Sequence, residues 1–187
     1  MFAAFFAVVV TATAVIAAPR ERLPFNAGWR FQKEDPVGTA AKLDYASVKT
    51  WIAPTGADLV NFHPVQPARP DGNLGGDVAY TQAGFDDSAW RKLDLPHDWG
   101  IEGPFAQEHP GETGKLPWWG VAWYRKNFDL PATDAGRRIY LDVDGAMSHA
   151  LVWCNGQFVG GWPYGYSSWR MDLTPYVRPG AANVLSI

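Results

Sequence analysis

The chain has 187 residues, enough for one domain of ordinary size with a leader or tail. At 47% hydrophobic and 19% charged it has a globular composition, which excludes a disordered or collagen-like chain. The net charge of −3 is spread without any basic block, which argues against a nucleic-acid partner.

Residues 1–18 carry no charged side chain and are apolar apart from Thr11 and Thr13. Small residues at Ala17-Ala18, followed by Pro19-Arg20-Glu21-Arg22, give the pattern of a signal peptide. Cleavage after Ala17 is expected, since cleavage after Ala18 would leave Pro19 at the new N-terminus. An uncleaved anchor helix is the alternative, but the run only reaches the lower edge of bilayer-spanning length. The expected location is therefore secreted or periplasmic, with residues 1–18 as the leader segment and residues 19–187 as the domain that follows it. Cys154 is the single cysteine, so no intrachain disulfide can form, and its apolar surroundings read as a buried, inert thiol.

After the leader, Gly28 to Gln32 alternates like a half-buried strand. Ala41, Tyr45, Val48 and Ile52 recur at helical spacing and predict a short amphipathic helix. Pro54 to Gly76 is rich in Pro, Gly, Asn and Asp and reads as a long surface excursion. Phe85 to Trp90 predicts one capped helical turn with Trp90 docked inward. The rest is β. Strands are expected over 91–95, 121–128, 138–143, 148–153, 169–173 and 183–187, with Ile139, Leu141 and Val143 sharing one face. Asn155-Gly156 is a strong hairpin signal, because a type I′ turn needs positive φ at both central residues; Gln157 to Val159 is the returning arm. Many short strands without a βαβ rhythm predict an all-β antiparallel sandwich. Because Ile187 closes an apolar strand with no turn or polar tail behind it, the sandwich is expected to be truncated at its C-terminal end.

Four segments could carry chemistry. Leu95-Pro96-His97-Asp98-Trp99 places two polar groups beside a large ring just after a strand, as either a proton-handling pair or a structural corner. Glu102, Glu108, His109 and Glu112 scatter over a Gly- and Pro-rich loop and read as solvated charges. Nothing marks two of them as the opposed carboxyl pair that glycoside hydrolysis requires. Asp142-Val143-Asp144-Gly145 opens like a calcium loop, but Trp153 stands at the twelfth position, so no metal site is expected. No cofactor is expected either. The aromatic loops Pro117-Trp118-Trp119-Gly120 and Trp162-Pro163-Tyr164-Gly165-Tyr166 could stack on a sugar, or could cap the sandwich or pack on a neighbouring domain.

Phe25-Asn26-Ala27-Gly28-Trp29-Arg30-Phe31, Phe85-Asp86-Asp87-Ser88-Ala89-Trp90, Leu95-Pro96-His97-Asp98-Trp99, Gly120-Val121-Ala122-Trp123-Tyr124-Arg125-Lys126 and Val152-Trp153-Cys154-Asn155-Gly156-Gln157-Phe158-Val159-Gly160 occur in this order. Together with Ser168 to Tyr176 they resemble the N-terminal sugar-binding domain of family 2 glycoside hydrolases, in particular the β-galactosidases. The resemblance runs from about Phe25 to the end. It implies a galactose-binding-like jelly roll, followed in complete members by an immunoglobulin-like domain and a (β/α)₈ barrel that holds both catalytic Glu residues. The implied reaction is retaining hydrolysis of a terminal β-linked sugar. This chain would then be inactive alone, with a β-glycoside or oligosaccharide as substrate of the whole and a homo-oligomer as a possible assembly. The resemblance further implies that Asp98, supported by His97, reaches the pocket and touches sugar hydroxyls. No acid stands where some β-galactosidases bring a second one, after the hairpin, since Trp162-Pro163-Tyr164 occupies that place. A stand-alone carbohydrate-binding module and a β-mannosidase- or β-glucuronidase-type member remain the alternatives, and a purely structural role in packing and oligomer contacts is a third reading.

Overall fold

The computed structural model describes residues 20–57, 68–116 and 120–187. The expected signal peptide, residues 58–67 of the Pro- and Gly-rich insert, and the Trp118-Trp119 pair lie outside the described residues.

Among the described residues eight strands form two antiparallel sheets. In chain order they are β1 (Trp29–Lys33), β2 (Arg91–Leu93), β3 (Ala122–Leu130), β4 (Tyr140–Val143), β5 (Ala150–Cys154), β6 (Gln157–Trp162), β7 (Trp169–Asp172) and β8 (Ala181–Ser186). The larger sheet has the order β2-β1-β3-β8-β5-β6, and β4 pairs with β7 in the smaller one. Long-range pairing sets the register: Phe31 lies opposite both Arg91 and Tyr124, and Ser186 opposite both Arg125 and Trp153. Asn155 and Gly156 adopt φ of 52° and 83°, as the hairpin between β5 and β6 requires.

Because side chains alternate along a strand, the large sheet feeds two cores. On one face Val152, Cys154, Val159 and Leu185 meet Leu141, Trp169 and Met171 of the small sheet. On the other face Trp153, Phe158 and Trp123 meet Val48 and Ile52 of the helix α1 (Tyr45–Ala57), together with Leu74 and Val78. Trp153 stacks on Trp123 with centroids 5.4 Å apart, and its indole N–H donates to the Leu74 carbonyl at 2.6 Å. Such a sheet, covered on both faces, explains why β5 and β6 read as nearly continuous buried runs. Helix α1 can approach β6 closely because Gly160 and Gly161 carry no Cβ. A Cβ on Gly160 would stand 2.5 Å from Thr55 Oγ1, and one on Gly161 would stand 3.1 Å from Ile52 Cγ1.

Three local expectations change. The helix begins at Tyr45, which is exposed and packs its ring on His149, while Ala41 sits outside in a 3₁₀ turn. The buried stripe is Val48, Ile52 and Thr55, narrow because it faces one strand. The described end of the insert is not a surface excursion: Leu74 is in the core and Asn73 accepts from Phe158 N–H while donating to the Gly156 carbonyl. Arg69 donates to the Phe158 and Val159 carbonyls and to the Tyr176 hydroxyl. Phe85 to Trp90 forms a hydrogen-bonded turn, not a helical one. Asp86 accepts from Ser88 N–H at 2.9 Å, Trp90 is buried, and Asp87 is drawn inward to the buried Arg125. That ion pair outcompetes further helical winding.

Candidate functional site

The registers put Lys33, Ala122, Ala150 and Trp162 at one end of the large sheet. The loop following β2 folds back toward this end. Its Leu95–Pro96 peptide is cis, and Leu95 N–H donates to the Asn26 carbonyl at 2.8 Å. Asp98 then caps a single 3₁₀ turn, Trp99–Glu102, by accepting the Gly100 N–H on Oδ1 at 2.8 Å. Asp98 is exposed, and its other carboxylate oxygen has no hydrogen-bond partner among the described residues.

His97 is placed differently from Asp98. Its side chain is only 10% exposed, with Nδ1 at 2.9 Å from the Tyr124 hydroxyl and Nε2 at 2.8 Å from Glu102 Oε1. The Phe31 ring packs edge-on against the imidazole at 4.7 Å. Both ring nitrogens are thus engaged within the protein, so His97 does not itself offer a free polar atom.

Glu102 overturns the reading of that loop's acids as solvated charges. Its Oε1 lies 2.6 Å from Arg91 Nη1, and its Oε2 lies 3.8 Å from Lys33 Nζ. The hydrogen bond from His97, with Arg91 behind it, holds this carboxyl below the ordinary glutamate range. Tyr124 is pushed well above the usual phenol range, first by burial and then by the negative charges of Asp98 and Glu102, so it stays a protonated donor. Glu108 and Glu112 are exposed, as a solvated reading requires. Sequence reasoning missed Arg91, Lys33 and Tyr124, and read Glu102 only as a solvated charge, because the four come from three strands and a loop. Only the tertiary register brings them together.

The remaining candidates resolve more simply. Asp142 lies 2.5 Å from Arg170 Nε, with Arg20 and Arg22 at 3.7 and 3.9 Å, and Asp144 lies 3.5 Å from Arg22. Guanidinium groups therefore occupy the carboxylates of the calcium-like segment. Burial pushes the Cys154 thiol up to about 12, which leaves it unreactive at neutral pH. In the second aromatic loop Trp162 packs on the core and donates to Ser167 Oγ at 3.0 Å, while Tyr164 and Tyr166 are 58% and 78% exposed. They follow β6 at the same end of the sheet as the Asp98 loop.

The antiparallel sandwich thus brings to one end of its large sheet a carboxylate oxygen without a hydrogen-bond partner among the described residues, together with two exposed tyrosine rings. Residues 92–187 match the family described as "Glycosyl hydrolase 2 galactose-binding domain-like", and the chain belongs to that family. Beta-galactosidase BoGH2A of Bacteroides ovatus is 37% identical over 174 residues, which cover 92% of this chain and 16% of the relative. A putative beta-glucuronidase of Formosa agariphila is 33% identical over 121 residues, 64% of this chain and 11% of that protein. The crystal structure of a beta-glycosidase from Bacteroides vulgatus superposes with a TM-score of 0.59 at 28% identity, over 87% of this chain and 16% of that one. The chain thus spans about a sixth of the length of the most fully matched relatives. It is the N-terminal, galactose-binding-like domain of a family 2 glycoside hydrolase.

Proposed function

We propose that this domain shapes the edge of the sugar pocket in a retaining exo-β-glycosidase, with β-galactosides as substrates and the catalytic carboxylates supplied by parts of the protein beyond this chain. The observation that carries the reading is Asp98: its second oxygen is unpartnered among the described residues, on an exposed loop end of a family 2 sandwich. A carboxylate of this kind accepts strongly from a sugar hydroxyl. The β-galactosidase name of a relative matched over 92% of this chain supports galactose, and the β-glucuronidase names of others support the same chemistry on a related sugar. The apolar segment 1–18 supports export to the periplasm or beyond.

The test is Asp98→Ala in the complete enzyme. Loss of one charge-assisted hydroxyl contact should lower kcat/KM for nitrophenyl β-galactoside by roughly ten- to a hundredfold. Unchanged kinetics with unchanged thermal stability would reduce Asp98 to a structural turn. A second reading, a self-sufficient carbohydrate-binding module, is favoured by the exposed rings of Tyr164 and Tyr166. Saturable binding of galactosides to this chain alone, lost in Tyr166→Ala, would favour the module.

A further inference from the structure

We infer that Glu102 is the positioning residue of this rim: acting through His97, it fixes the direction in which Asp98 presents its free oxygen to a sugar hydroxyl. The inference rests on the reading of Asp98 as a sugar contact.

The geometry carries it. Arg91, Lys33 and Tyr124 stand on β2, β1 and β3, three neighbouring strands. Glu102 Oε1 meets Arg91 at 2.6 Å and His97 Nε2 at 2.8 Å, and Oε2 faces Lys33 at 3.8 Å. The other nitrogen of His97 meets Tyr124 at 2.9 Å. One carboxylate and one imidazole therefore fasten both ends of the 97–102 turn to the sheet and to each other. Asp98 lies between those ends with Oδ1 fixed on Gly100 N–H. Turning the carboxylate would break its bond from Gly100 N–H, and shifting the turn would break those of His97 to Tyr124 and Glu102.

The proton roles of the two short bonds are mutually consistent, with Arg91 Nη2, 3.4 Å from Nε2, a charged neighbour and not a donor to it. A carboxylate only accepts, so Nε2 of His97 carries the proton that faces Glu102. In the neutral ring Nδ1 then accepts, and the Tyr124 phenol donates to it. Removing Glu102 takes away the acceptor that selects this tautomer and holds the ring plane. Surface ion pairs contribute little to stability, and the Arg91 side chain is 52% exposed. The consequence of losing Glu102 should therefore appear in substrate handling far more than in folding.

The experiment is a double-mutant cycle in the complete enzyme with Glu102→Ala, Asp98→Ala and the pair, plus Glu102→Gln, each assayed below its own measured melting temperature. Small displacements at a binding group lower rates steeply, so Glu102→Ala should lose roughly tenfold or more in kcat/KM. Its loss should divide between kcat and KM as that of Asp98→Ala does. The pair should be within about twofold of Asp98→Ala alone, because a group acting through another adds nothing once that other is gone. Glu102→Gln, which keeps an acceptor for His97, should recover part of the loss. If Asp98→Ala is impaired while the Glu102 variants are unaffected, or if the two losses multiply in the pair, the positioning role is overturned and the Asp98 contact stands. If Asp98→Ala is itself unimpaired, the pocket-edge reading fails and this inference fails with it.

Discussion

Asp98 and Glu102 stand four positions apart in one loop and serve opposite ends. Asp98 keeps one carboxylate oxygen outward, while Glu102 spends both of its oxygens on cationic and imidazole partners. The second arrangement has a pH signature. A carboxyl held below its ordinary value contributes stability that is fully present above the unfolded value, about 4.3 for glutamate, and is lost as pH falls through the lower folded value. Acidification from about pH 5 to pH 3 should therefore lower Tm, with Glu102 contributing a small, solvent-screened share, so that Glu102→Gln should flatten that decline slightly. Circular dichroism melts across this range make the comparison; parallel curves for the two proteins would assign the loss to other depressed carboxyls such as Asp142. That group is held down first by its hydrogen bond from Arg170.

At the scale of elements, Arg125 on β3 is the tie between the large sheet and the segment that covers it. Its Nε donates to Asp87 at 2.9 Å, Nη1 to Ser186 Oγ at 2.7 Å and to the Tyr80 carbonyl, and Nη2 to the Gln82 carbonyl at 3.1 Å. The side chain is fully buried and Asp87 is nearly so. Breaking one half of a buried pair leaves an uncompensated charge together with several unpaired acceptors. Arg125→Met should cost about 3–5 kcal/mol in urea unfolding. Combining it with Asp87→Asn should cost less than the sum of the single changes, since the second change removes the stranded charge. Additive losses would mean that the pair is worth no more than its separate hydrogen bonds.

At the scale of the molecule, the large sheet separates two cores: the small sheet closes one, and α1 with the 73–90 segment closes the other. This leaves function to the strand ends, where backbone loops can carry exposed polar groups. Among those loops Glu102 is neutralised by its partners, and Glu108 and Glu112 are exposed to solvent. A retaining glycosidase needs two carboxyls about 5–5.5 Å apart across the scissile bond. The purified chain should therefore not hydrolyse nitrophenyl β-galactoside or β-glucuronide. Turnover that co-purifies with the chain and disappears in Glu108→Gln or Glu112→Gln would show that a catalytic pair had been overlooked.

Much of this was legible in the residues themselves. Alternation marked the strands, because a half-buried strand must repeat every second residue, and Asn155-Gly156 marked its hairpin because few residues tolerate positive φ twice in succession. Trp90, expected to dock inward behind its turn, is buried. Local sequence also brought Asp98 and His97 forward as neighbours, and family resemblance gave Asp98 its proposed role. What it could not supply was the difference between them. Tyr124 is 27 positions from His97 and Lys33 is 69 from Glu102, so their meeting depends on which strands pair and in what register. The same long-range pairing drew Asp87 inward to Arg125 and Leu74 into the core, against the local signals for a helical turn and a surface loop. Sequence determined the elements, because their periods and turn chemistry are local. Tertiary structure alone decided which polar groups are partnered and which remain open, because partnership in a β-sandwich is made across the sheet.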